Sequence, residues 1–179
     1  MKKMNNKGFS LVELIIVIAI MAVLIVVLAP QYLKYVEKSR NSTDVTNATE
    51  IVTAIQVYAA DPDVATGDVL SVGTAKITVD GTKTTWTTGV NNLDKAFSEA
   101  GFDVTGSGTS ASLATTCVSK TAWTSYIIDV TVGSGGSVKF EYSAGGTTNA
   151  SQNFKDAMAG KKIGSGTPAN PPANPPANP

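Results

Sequence analysis

One acidic residue, Glu13, lies within an otherwise apolar stretch near the start of the 179-residue chain. Residues 9–29 read FSLVELIIVIAIMAVLIVVLA, and Glu13 is the charged side chain among them. A carboxylate deep in a membrane helix costs on the order of 2.5 to 3.5 kcal/mol on insertion scales, so it usually marks a site with a partner. A tolerated carboxylate at the headgroup level is the alternative. The chemistry predicted for Glu13 is therefore pairing with a cation.

Few other residues could support catalysis or metal binding. The chain has no histidine, which removes the commonest general base and the commonest neutral metal ligand. Cys117 is the single cysteine, so it cannot close an intramolecular disulfide, and we expect a small buried side chain. Asp61, Asp63 and Asp68 suggest a calcium loop, but Ala65 breaks the ligand spacing and a solvated loop is favoured. We expect no enzyme activity, no metal site and no cofactor.

The stretch that carries Glu13 predicts a membrane-spanning helix. Residues 9–29 give roughly 32 Å of helix, close to the roughly 30 Å hydrocarbon thickness. Lysines at positions 2, 3 and 7 precede it, which predicts a cytoplasmic amino terminus. A removable secretory signal is the rival interpretation, but this apolar run is long for one, and its small-residue site at Ala29 is followed by Pro30. A signal peptidase should cut poorly before proline, so an uncleaved anchor is favoured.

The sequence from Lys7 to Glu13, KGFSLVE, resembles the class III signal of type IV prepilins. The resemblance covers residues 1 to about 35. It implies that prepilin peptidase cuts after Gly8 and methylates the new amine of Phe9. It also implies that Glu13 takes the place of the family's characteristic glutamate, and that Pro30 is a helix-kinking proline.

Cleavage after Gly8 would create the cation that Glu13 needs. The new amine of Phe9 would lie in or near the apolar layer, and each charge can pair with the other on an adjacent subunit. In a dry filament core, a slip of one turn, about 5.4 Å, would separate the two charges. We therefore predict that Phe9 and Glu13 act in subunit assembly by fixing the axial register between helices.

After Pro30 the pattern predicts an amphipathic helix that ends before Asp61-Pro62, because the residue before proline is disfavoured in a helix. We expect Tyr32 and Tyr35 to form an interfacial belt. The predicted core-facing stripe of this helix consists of Val45, Ala48, Ile51, Val52, Ile55, Tyr58 and Ala59.

The following residues are rich in Thr, Val, Gly and Ser, which is typical of short strands. A two-residue turn at Asp80-Gly81 predicts a hairpin of residues 75–79 and 82–86. Asn91 to Gly101 predicts a short helix capped by Asn91 or Asn92, with Leu93, Ala96, Phe97 and Ala100 on one face. Residues 123–132 and 137–142 predict a second hairpin. The fold class is α+β, a long N-terminal helix packed on an antiparallel sheet, as the pilin resemblance also implies.

The predicted organisation has five segments: a leader (1–8), a transmembrane and filament-core helix (9–30), an amphipathic helix (31–60), a β-rich head (61–163) and a Pro-rich tail (164–179). Leader removal would leave 11 basic residues, 14 minus the three lysines, against 14 acidic ones. A net charge of −3 does not favour nucleic-acid binding. A spacer, a binding tail and a cloning remnant are all consistent with the tail's Ala-Asn-Pro-Pro repeats.

The resemblance implies a structural subunit of a type IV pilus. Its implied partners are further copies of itself in a helical homopolymer, prepilin peptidase, the pilus assembly machinery and, before assembly, the membrane. The expected location is the cell membrane before assembly and an extracellular pilus afterwards. A pseudopilin of a type II secretion or DNA-uptake apparatus shares the same signal, and adhesion by the head is compatible with polymerisation.

Overall fold

The longest element of the protein is a helix, α1, at Leu11–Ala60. A computed structural model describes residues 10–87 and 89–163. The chain divides between Ser39 and Arg40 into two units, and α1 contributes to both. The helix ends immediately before Asp61-Pro62, as predicted from the restriction that proline places on the preceding residue.

In the first unit the described residues are helical from Leu11 onward. Large apolar side chains from Leu11 to Leu28 are 50 to 75% exposed. This part of α1 is long and apolar enough to cross a membrane. Its apolar surface therefore requires lipid or further protein to cover it.

In the second unit one face of α1 is buried, and this face begins with two polar residues. Asn41 and Asp44 precede the apolar residues on the stripe, whereas Val45 and Ala59, which the spacing predicts on this face, are only partly buried. The stripe is thus rotated relative to the prediction. Its buried members are Asn41, Asp44, Ala48, Ile51, Val52, Ala54, Ile55 and Tyr58.

The second unit also contains an antiparallel sheet of six strands in the order β3-β4-β2-β1-β5-β6. The strands are β1 (Gly73–Val79), β2 (Thr84–Trp86), β3 (Val104–Thr105), β4 (Ser112–Leu113), β5 (Ser125–Val132) and β6 (Val138–Gly145). Alternate residues of β1 and β5 are buried, as expected for strands with one face on a core. The register pairs Ile77 with Ile128, and both belong to the same hydrophobic core as Ile51 and Ile55 of α1. The α+β fold class is confirmed.

The first hairpin has a longer loop than predicted. Asp80 N–H donates to the Lys83 carbonyl at 3.1 Å, so residues 80–83, and not Asp80-Gly81 alone, connect β1 to β2. The Asp80 carboxylate accepts the Thr82 N–H at 2.7 Å and the Lys83 N–H at 3.1 Å. A hydrogen bond from the Thr82 hydroxyl, followed by these two backbone bonds, lowers the pKa of Asp80. The two-residue turn was wrong because the aspartate side chain stabilises a wider loop.

A short helix, α2 (Leu93–Glu99), lies within the predicted range, but its start differs in mechanism. Asn92 adopts a left-handed conformation with φ 62° and makes no side-chain cap bond. Its amide group instead donates to the Val69 carbonyl at 3.0 Å. Leu93, Ala96 and Phe97 are buried as predicted, whereas Ala100 is exposed. Gly101, with φ 87°, ends the helix as predicted.

The second hairpin is confirmed with shifted bounds, since β5 begins at Ser125 and β6 continues to Gly145. A helix that the sequence did not predict, α3 (Ala150–Met158), packs on β6. Its Ser151 hydroxyl donates to the Ala144 carbonyl at 2.8 Å and accepts the Ala144 N–H at 3.0 Å. These bonds satisfy the outward-facing backbone of the edge strand at that position.

Candidate functional site

Glu13 lies in the first turn of α1 and caps its own helix. The Ser10 N–H donates to Glu13 Oε2 at 2.9 Å, and the Val12 N–H donates to Ser10 Oγ at 3.3 Å. A serine before the helix and a glutamate three residues later form a capping box, in which each side chain binds a backbone amide near the other residue. Glu13 therefore already has one partner within its own chain before any other subunit is present.

The position of Glu13 also suits a contact with another copy. Its side chain is exposed, and the neighbouring apolar side chains are exposed as well, including Leu11 at 72%. A carboxylate has several acceptor sites, so one bond from Ser10 leaves capacity for a cation. The helix start at Leu11 also places residue 10 outside the regular helix, two positions beyond the Gly8-Phe9 bond.

The other predicted site residues are divided between the described and undescribed parts of the chain. Pro30 lies within α1, where it removes one helical hydrogen-bond donor. Gly8, Phe9 and the Pro-rich tail at 164–179 lie outside the described residues. Cleavage at Gly8, methylation of Phe9, and the kink at Pro30 remain predictions.

A buried carboxylate, Asp44, forms a second polar centre that the sequence analysis missed. Asp44 is fully buried on the inner face of α1. Its carboxylate accepts bonds from the Val118 N–H at 2.8 Å, the Ser119 N–H at 2.9 Å, the Trp123 indole N–H at 2.8 Å and the Cys117 thiol at 3.3 Å. Every one of these groups donates its hydrogen bond to the carboxylate, which accepts. Asp44 thereby fastens the loop before β5 to the helix.

The same contacts explain the chemistry of Cys117. Its predicted burial is confirmed, since the residue is 3% exposed. Burial, followed by the charge of Asp44 and the hydrogen bond to it, raises the pKa of the Cys117 thiol to about 12. A thiol that remains protonated at neutral pH is a poor nucleophile and a poor metal ligand. Cys117 is therefore a structural hydrogen-bond donor.

Two signals in the sequence pointed toward Asp44. It lies four residues before Ala48 on the buried stripe, where an aspartate needs partners. The indole of a buried Trp123 likewise needs an acceptor. Nothing in the sequence spacing linked the two residues, because they are far apart along the chain and meet only when the sheet forms.

The aspartates considered for calcium binding have local partners. Asp61 Oδ1 accepts the Asp63 N–H at 2.8 Å, which stabilises the turn after α1. Asp68 forms an ion pair with Lys95, and its carbonyl accepts the Tyr58 hydroxyl at 2.9 Å. Among residues 10–87 and 89–163, no cluster of three or more potential metal ligands is present.

Residues 3–29 match the family model of the prokaryotic N-terminal methylation motif. The matched segment includes the Gly8-Phe9 junction, Glu13 and most of the apolar run. No curated protein and no solved structure matches the chain. The motif and the long apolar helix together support a type IV pilin-like prepilin, a substrate of prepilin peptidase that is anchored in the membrane before assembly.

Proposed function

From the signal of a type IV pilin-like prepilin, we propose that this chain is the structural subunit of a type IV pilus, cleaved after Gly8 and methylated on the Phe9 amine. The observation that carries the proposal is the uncovered apolar helix with a carboxylate in its first turn. Helices of further copies would cover this surface in a filament. Each Glu13 would pair with the Phe9 amine of a neighbouring subunit.

The proposed role is structural and not catalytic. The chain divides into two units, and in the proposed fibre the first unit would supply the main apolar assembly surface while the second unit would lie on the outside. Two buried polar groups of the second unit, Asp44 and Cys117, bind each other and the backbone. Neither group is available to a substrate.

Electron microscopy of sheared surface fibres, with mass spectrometry of the subunit, tests this proposal. We expect long fibres whose subunit begins at Phe9 and carries one added methyl group. A subunit that begins at Met1, or beyond Pro30, would falsify the processing step. Short fibres, with protein secretion or DNA uptake that depends on the gene, would assign the chain to the pseudopilins instead.

Substitutions of Glu13 separate its charge from its capping role. Glu13→Gln keeps the capping box, which accepts glutamine, but removes the negative charge. Glu13→Ala removes both, and Ser10→Ala weakens the cap while keeping the charge. If pairing with the Phe9 amine drives assembly, both Glu13 variants lose fibres, because leaving one member of a buried pair alone costs about 3 to 5 kcal/mol.

Membrane insertion is the control for these variants. A more apolar segment inserts at least as well, so membrane-bound subunit should persist in all three. Ser10→Ala should retain fibres. Normal fibres from Glu13→Gln, with fibres lost only in Glu13→Ala and Ser10→Ala, would show that capping and not charge pairing is the role of this residue.

A further inference from the structure

A groove of about 890 Å³ lies on the surface of the second unit. One wall is the part of α1 from Val45 to Val57, which corresponds to about 18 Å of helix, or roughly three turns. The opposite wall consists of residues 100–103, after α2, and residues 113–115, at the end of β4. The groove is separate from the Glu13 site and from the buried contacts of Asp44.

The helical wall of this groove is lined by threonines whose hydroxyls already have partners. The hydroxyls of Thr46, Thr49 and Thr53 donate to backbone carbonyls four residues earlier, at 3.0, 2.8 and 2.8 Å. Their methyl groups are the parts left to contact a partner. Val57, at the end of the same wall, is 63% exposed. The wall is therefore a largely apolar surface without unsatisfied hydroxyl donors.

The charged residues that line the groove are acidic. Glu50 and Asp103 line it, both are exposed, and neither forms an ion pair within the described part of the chain. None of the described residues that line the groove is basic. A partner that fits this surface should present apolar side chains together with a positive charge.

The chain itself presents such a surface on its other unit. Tyr32, Leu33 and Tyr35 are 67, 66 and 70% exposed, and Lys34 lies among them. Lys34 forms no ion pair within residues 10–87 and 89–163. This turn of α1 follows the apolar run. When the subunit moves from the membrane into a fibre, the turn would lose its contact with lipid, and protein would need to cover its large side chains.

We propose that the groove binds the Tyr32–Tyr35 turn of a second copy of this chain, with Lys34 lying between Glu50 and Asp103. The inference rests on the proposed filament function and names the surface through which neighbouring subunits contact each other beyond the membrane segment. The contact is heterologous, because the groove and the turn belong to different parts of the chain. Heterologous contacts that do not close into a ring generate open helical polymers.

Charge reversal in the full chain tests the pairing. The double variant Glu50→Lys/Asp103→Lys and the single variant Lys34→Glu should each yield fewer surface fibres than wild type. Loss of exposed ion pairs weakens each subunit contact by about two- to fivefold, and reversed charges add repulsion. The triple variant should recover fibres toward the wild-type yield. Glu141→Lys, an exposed reversal on β6 at the opposite edge of the sheet from β3, is the matched control and should leave the yield unchanged.

Cysteine cross-linking tests the contact directly. Fibres from Leu33→Cys/Thr49→Cys, a pair with the same 16-residue offset as Lys34 and Glu50, should give a ladder of disulfide-linked oligomers on a non-reducing gel, because a disulfide requires the two Cβ atoms to lie about 3.5 to 4.5 Å apart. The buried Cys117 should not contribute, and Leu33→Cys/Glu141→Cys should remain monomeric. A cross-linked ladder together with rescue by the triple variant supports the proposal.

The outcomes separate the groove from the filament function. Absence of fibres from wild type would overturn the proposed function and this contact with it. Normal wild-type fibres with no ladder, and with no rescue by Lys34→Glu, would overturn the groove contact alone. In that second case a groove variant that still loses fibres would indicate a different protein as the occupant.

Discussion

Removal of the Asp44 carboxylate should destabilise the second unit more than any surface substitution. Asp44→Ala leaves four buried or partly buried donors without their acceptor: the Val118 and Ser119 amides, the Trp123 indole and the Cys117 thiol. Each buried donor left unsatisfied costs about 1 to 3 kcal/mol, although the costs do not add fully. We expect a total loss of about 3 to 5 kcal/mol, a large fraction of the usual 5 to 15 kcal/mol.

Asp44→Asn provides a graded comparison. An amide oxygen in the place of Oδ2 would keep three of the bonds, and only the Val118 N–H would then face an amide NH₂ group. We expect a loss of about 1 to 3 kcal/mol, between wild type and Asp44→Ala. Asp63→Asn, which changes an exposed aspartate in the same way, should stay within about 0.5 kcal/mol of wild type.

Urea unfolding of a fragment that begins at Gln31 measures these differences through tryptophan fluorescence. With a slope of about 2 kcal/mol per M, a loss of 3 kcal/mol lowers the midpoint by about 1.5 M. The slope itself should stay constant if the variants unfold from the same native structure. An Asp44→Ala midpoint equal to that of Asp63→Asn would refute the role assigned to the buried carboxylate.

We expect three further results for the second unit, in sedimentation, in the pH dependence of stability and in unfolding. The fragment from Gln31 onward should sediment as a monomer at low micromolar concentration, because the apolar surface of residues 11–28 is absent and the exposed charges of the proposed groove contact are too weak to hold copies together alone; large aggregates would contradict this. The Cys117 pKa rises from 9.0 to about 12 on folding, so between these pH values the folded state holds a proton that the unfolded state has lost. The free energy of unfolding should therefore fall as pH rises from about 9 toward 12, measured relative to Cys117→Ala at each pH. Equal pH profiles for the two proteins would oppose this. Tyr126→Phe should not lower the unfolding midpoint, since the buried Tyr126 hydroxyl has no hydrogen-bond partner among the described residues; a loss above 1 kcal/mol would indicate one.

The elements that the sequence predicted are those whose signals are local. The apolar run, the stop at Asp61-Pro62 and the strand predicted within residues 123–132 each depend on residues within one segment, and all three agree with the structure. The Asp80-Gly81 turn was wrong, and Asn92 is the N-cap residue as predicted but makes no side-chain cap bond, for a shared reason. In both places a side chain binds backbone elsewhere, at Thr82 and Lys83 for Asp80 and at Val69 for Asn92, and such competing bonds are not visible in turn or cap preferences.

The candidate site was predictable where it depends on spacing along one helix. Glu13 and the residues before it form a compact pattern, and the capping box with Ser10 follows the same spacing. Asp44 and the groove were not predictable in this way. The Asp44 contacts join α1 to residues 117–123, and the groove wall joins α1 to residues 100–103, so both exist only because the sheet brings distant segments to the helix.

If helices run parallel in the fibre, the proposed Glu13 pair and the proposed groove contact cannot join the same two subunits. A bond between Glu13 and a neighbouring Phe9 amine requires an offset of four residues along α1, about 6 Å. A contact between Lys34 and a neighbouring Glu50 requires an offset of 16 residues, about 24 Å. Under the two proposals, each subunit would therefore contact at least two different neighbours through this helix. Because substitutions at distant, independent contacts have additive effects, Glu13→Gln and Glu50→Lys/Asp103→Lys should weaken fibres independently when combined.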